Sequence, residues 1–224
     1  MRSDPADLIR RGAIISLVGF ILSGPVAVAL VMYFTPQPTW SGVEAFRSHY
    51  DPLQTLPYFF GFILLTGILM MMTGLLQQSS GSQDEVKMQI RIAHALTLVF
   101  ISLIALNYIG QTTFVPHLLS MHSPDADTLI SGFSMSNPNS LGWALEMWGY
   151  GILGIALWLL AGYYHDALVV RVMLLLNALV SIGSLVWAIF NATWVETTLG
   201  LILYFLWNAL MMMILVLIIQ KSRA

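Results

Sequence analysis

In the run LGWALEMWGYGILG, which begins at Leu141, Glu146 stands among apolar and aromatic residues. An ionisable side chain inside an apolar span is costly to bury. Such residues face a bundle interior or a water-filled cavity, and they mark function more often than not. Amides and phenols recur in the other apolar runs: Asn107 and Gln111 in one, Tyr204 and Asn208 in another, with Tyr150 one helical turn beyond Glu146. One carboxylate, three amides and two phenols can together hold a cation or a hydrogen-bonding group, or take up a proton. His117 adds a titratable ring near Gln111. The candidate ligand-binding residues are therefore Glu146, Gln111, Asn107, Tyr150, Tyr204, Asn208 and His117.

Other chemistries find less support. His49, His117 and His122, with Glu146, Asp51 or Glu196, have the residue types of a histidine–carboxylate metal site that activates water for a membrane hydrolase. However, His117 and His122 are five apart, not three or four, and no H-E-x-x-H occurs. The stretch SGFSMS around Ser134 lacks the strand–turn–helix context of a nucleophile elbow. There is no phosphate-binding G-x-x-x-x-G-K-[ST] and no cysteine. No catalytic residue, metal or cofactor is assigned, and an enzyme is the less favoured reading.

The elements that must position these residues follow from composition. The 224 residues are 58% hydrophobic and 9% charged, against about a quarter charged in soluble domains. That is too little polar surface for a water-exposed fold. The net charge of -2 offers no basic face for nucleic acid. Crossing a bilayer takes about 20 apolar residues. Six candidate spans cover about 12–34, 56–76, 92–119, 141–164, 168–190 and 197–219. Backbone groups have no water partner in lipid, so each span is predicted to be helical. The prediction is an all-α membrane protein: one domain, a six-transmembrane-helix bundle with both termini in the cytoplasm. The third span is long, and Pro116 predicts a kink near its end.

Orientation comes from the cations. Arg2, Arg10, Arg11, Lys87, Arg91, Arg171, Lys221 and Arg223 fall on one side if every span crosses, and only Arg47 falls on the other. Positive charge is retained on the cytoplasmic side. Glu146 then lies about one turn below the outer surface. At 100° per residue it shares a sector with Gly142, Gly149, Tyr150 and Leu153, and glycines on a face predict a packed neighbour. The first span carries a comparable stripe: Gly12, Ser16, Gly19, Ser23 and Ala27.

The stretches NYIGQTTFVPHLL and LGWALEMWGYGILGIALWLLAG, with a short amide-bearing last span, resemble uncharacterised six-helix proteins of the bacterial inner membrane. The resemblance implies a multi-pass protein of the bacterial cytoplasmic membrane and attaches no activity to it. The function expected is binding or passage of a small molecule through a polar pocket in the outer half of the bundle. The alternative is an accessory subunit whose polar faces serve assembly, with copies of itself or with a membrane partner. A metal-dependent membrane hydrolase is the third reading.

Overall fold

The structure, a computed structural model, describes residues 4–222; Arg2 and Arg223, counted above, lie outside them. Among the described residues there are helices and no strands. Six helical segments are long and apolar enough to cross a membrane: Pro5–Phe34, Pro52–Gly81, Asp84–Leu119, Leu141–Tyr163, Leu168–Phe190 and Thr198–Lys221. The first starts a turn or more before the apolar run. Asp4 caps it by accepting from the Ala6 amide (3.1 Å), and Pro5 supplies a preset φ at the first helical position. Asp84 and Glu85 open the third, where carboxylates suit the helix dipole.

Two of the six segments are interrupted by a wide π turn. The first consists of α1 (Pro5–Ile21), a π turn at Leu22–Val26 and α2 (Ala27–Phe34). After α3 (Val43–His49) and α4 (Leu56–Gln78), the third segment is α5 (Asp84–Ile109), a π turn at Gly110–Phe114 and α6 (Val115–Leu119). Each π turn lies at or just before a proline, Pro25 or Pro116. Proline has no N–H to give, and its ring collides with the carbonyl four residues back. A wider turn relieves that collision, and the π turn found near the kink expected at Pro116 ends two residues before that proline. α7 (Pro124–Phe133), α8 (Leu141–Tyr163), α9 (Leu168–Phe190) and α10 (Thr198–Lys221) complete the chain.

The long helices form a ring in chain order: α1 packs on α4, α4 on α5, α5 on α8, α8 on α9, α9 on α10, and α10 on α1. The α1–α4 seam is the closest. A Cβ at Gly12 would collide with the Met71 backbone, and one at Gly67 with the Ser16 backbone. Only glycine permits that approach, which is the packing role expected of the first small-residue stripe. The end of the bundle that carries both termini is solid. Phe100, Ile68, Leu75, Ile90, Leu160, Leu174, Ile214 and Ile218 are all fully buried there or at mid-height.

The opposite end is capped. α3 and α7 lie over α6, burying a second small core of Phe46, Val115, Leu118, Leu119, Ala126 and Ile130. Arg47 fastens this cap. Its Nε donates to Leu119 O (3.3 Å), and its Nη2 donates to Met121 O (3.1 Å) and Asp127 Oδ1 (2.7 Å). The hydrogen bond with Asp127 holds the Arg47 guanidinium above its ordinary pKa, against the opposing pull of desolvation. The remaining described cations of the sequence count (Arg10, Arg11, Lys87, Arg91, Arg171 and Lys221) all belong to the terminal end.

Candidate functional site

Behind the cap, side chains do not fill the space inside the ring of helices. The ring encloses a cavity of about 370 Å³. The wall is built helix by helix. α1 and its π turn contribute Phe20, Ser23 and Gly24; α4 contributes Tyr58 and Leu64; α5 contributes Tyr108. α8 contributes Trp143, Glu146, Met147 and Tyr150; α9 contributes Ser181 and Ser184; α10 contributes Leu203, Tyr204, Trp207 and Asn208. Met135, Trp194 and Val195 close the roof from the connecting loops.

Glu146 is held from behind. Asn107 Nδ2 donates to Glu146 Oε2 (2.8 Å). Asn107 Oδ1 accepts from Gln111 Nε2 (3.2 Å), and the same Nε2 donates to Phe133 O (2.9 Å). Gln111 Oε1 in turn accepts from the Met135 amide (3.0 Å). Gln111 is thus fixed in orientation by backbone groups at the end of α7 and in the loop after it, and Asn107 is fixed by Gln111. The chain of bonds runs from that loop through α5 to the carboxylate on α8. Gly142 makes this possible: a Cβ there would collide with Phe133 O and crowd both amides. The π turn matters as well, because it carries Gln111 and turns that residue inward to where it is buried.

No lysine, arginine or histidine lines the cavity among the described residues, and Glu146 has no ion pair there. Four phenols, Tyr58, Tyr108, Tyr150 and Tyr204, line the same cavity. The aromatic residues of the wall form two packed groups. Tyr150 meets Trp207 edge-on (4.9 Å between ring centroids, 80°), Trp207 meets Phe20 (5.8 Å), and Tyr58 meets Tyr108 (5.4 Å). Trp207 is locked by a closed cycle. Its Nε1 donates to Ser181 Oγ (2.8 Å), Ser181 Oγ donates to Asn177 Oδ1 (3.3 Å), and Asn177 Nδ2 donates to Trp207 O (3.2 Å). By contrast, the indole N–H groups of Trp143 and Trp194 are buried with no acceptor among the described residues. Both residues line the cavity.

Of the seven candidate residues, Glu146, Tyr150, Tyr204 and Asn208 line this cavity. Asn107 and Gln111 lie behind Glu146 as its support and are buried. Asn208 spends its Nδ2 on Tyr204 O (2.7 Å) and keeps Oδ1 facing Gly24 across the seam between the first and last segments. His117 sits exposed on α6, away from the cavity. His49 is engaged with Ala45 O (2.9 Å) on α3. No group of three or more His, Asp or Glu side chains gathers in metal-holding geometry among the described residues. Trp148, between the cavity-lining Met147 and Tyr150 in sequence, is half exposed on the outside of α8. Sequence reasoning missed Tyr58, Tyr108, Trp143 and Trp194 as lining residues. The two tryptophans read as belt residues, and the two tyrosines lie in runs whose periodicity singles out no face. No known family matches the chain, no curated protein matches it, and no solved structure matches its fold.

Proposed function

We propose that this is an integral membrane protein that binds a small molecule in the capped half of its bundle, with Glu146 as the recognition point. Six long apolar helices agree with a multi-pass membrane protein. The lysine and arginine asymmetry supports termini on the cytoplasmic side, which turns the capped end outward. The reading of a bacterial cytoplasmic membrane rests on the sequence resemblance. One observation carries the functional proposal. A carboxylate with no cationic partner among the described residues is positioned by a three-residue hydrogen-bond relay at the wall of a cavity of about 370 Å³. Ligand sites are typically concave, mostly apolar and furnished with few polar groups, in volumes of about 300–1,000 Å³. Structural glue needs no such void, and the Asn177–Ser181–Trp207 cycle shows how this chain makes glue where it wants it.

The test is thermal stabilisation of the purified protein in lipid nanodiscs by a small-molecule panel. The expected result is stabilisation by a restricted chemical group, lost in Glu146→Gln. If no compound stabilises, and a membrane partner co-purifies equally with wild type and variant, the assembly reading takes its place.

A further inference from the structure

We infer that the ligand is a cationic amphiphile: an ammonium head held by Glu146 and the tyrosines, and an apolar tail that leaves sideways between the first and last segments. This rests on the binding reading above and names its ligand class.

The head group follows from charge. A desolvated carboxylate without a countercharge is expensive. Among the described residues, Asn107 hydrogen-bonds the carboxylate from behind, and the cavity wall supplies four phenols and no cation. Aromatic faces attract a positive centre through their quadrupoles. An ammonium group, above all a methylated one, uses the charge and the rings at once. A neutral donor uses the carboxylate alone, and an anionic head uses neither.

The tail follows from size and from where the wall is thin. At about 30 Å³ per heavy atom the cavity holds roughly a dozen, enough for a head group and a linker only. The terminal half of α10 is buried (Leu210, Met211, Ile214, Leu215, Ile218), whereas its capped half exposes Ile202, Tyr204, Phe205 and Leu206. On the facing segment, Ala27 is the one buried residue of α2, while Met32, Tyr33 and Phe34 are 62–81% exposed. α1 packs against α10, but α2 scarcely touches it. The two segments therefore part beyond the Gly24–Asn208 contact, on the side where lipid chains lie. Meanwhile Met135, Trp194 and Val195 roof the aqueous side.

The experiment titrates nanodisc-embedded protein with lauroylcholine and with 3,3-dimethylbutyl laurate, in which a carbon replaces the ammonium nitrogen. Acetylcholine serves as the tail-less control. Three of the seven tryptophans line the cavity, so intrinsic fluorescence reads occupancy. The expected preference for the choline ester over its neutral isostere is at least about tenfold, which is 1.4 kcal/mol and within reach of a desolvated cation–π contact. Glu146→Gln should abolish the preference. Tyr204→Leu, at an already exposed residue, should reduce it while leaving the fold intact. Lauroylcholine should bind more tightly than acetylcholine. Equal binding of ester and isostere, indifferent to both variants, overturns the cationic class and leaves the binding reading standing. Acetylcholine binding with lauroylcholine excluded overturns the lateral exit. Failure of all three compounds overturns this inference, and the broader panel above then decides whether the binding reading survives.

Discussion

The same six helices pack in two different ways at the two ends of the bundle. Toward the termini, Ile68, Leu160, Ile214 and Ile218 interdigitate and leave a void of only about 10 Å³. Toward the cap, aromatic rings and short polar side chains surround about 370 Å³. The contrast is one of material. Branched aliphatic side chains collapse onto each other. Rings braced edge-to-face and amides tied to backbone cannot collapse, so they hold a hollow open. The terminal half provides stability, and the capped half, freed from that duty, holds the shape of a site.

Paired truncations break the comparison most sharply. Leu160→Ala, at a fully buried position, should cost about 2–5 kcal/mol. Leu203→Ala, at the cavity wall, should cost under about 1 kcal/mol, because that side chain already borders empty space. Denaturant titration of both variants in the same lipid checks this, and equal losses would erase the distinction between the halves. An intermediate effect is expected for Asn107→Leu, which removes the donor to Glu146 and the acceptor of Gln111 together. We expect a loss of about 1–3 kcal/mol. More telling is that cation preference should fall with it although Asn107 does not line the cavity, and unchanged preference would show that the relay does not position the carboxylate. The smallest effect belongs to the cap. Arg47→Met keeps the apolar stem but loses the bonds to Leu119 O, Met121 O and Asp127. The cost should be about 1 kcal/mol, since the Asp127 partner is 44% exposed. The gap to wild type should narrow in about 1 M salt, where the Debye length is about 3 Å. A gap indifferent to salt would assign the cap's strength to its apolar core instead.

Much of the fold was legible because lipid leaves few choices. Six apolar runs predict six helices, and the observed segments differ from them mainly at their ends, where caps such as Asp4 extend a helix beyond its apolar stretch. Small-residue spacing marked the packing face of the first span, since close approach needs missing Cβ atoms at regular intervals, and the structure supplied its partner, α4. The candidate site was legible in part. Glu146 stood out because a lone carboxylate in an apolar run has no innocent explanation. Its neighbours did not stand out. Trp143 reads as a belt residue, and Met135 lies in a polar loop, SGFSMSNPNS, with no periodicity to place it. His117 was grouped with Gln111 by proximity in the chain, but the two point to different surroundings once α6 leaves the π turn.

The sequence alone determined that six helices are long and apolar enough to cross a membrane, how charge is distributed between the two ends, and the identity of the one costly acid. Each of these is a property of composition or of period along the chain. The tertiary structure alone decided that Asn107 and Gln111 stand behind the acid rather than beside it, that two indoles go without acceptors, and that α2 and α10 diverge. Those facts depend on how far apart six rods stand, and no single helix's sequence contains that distance.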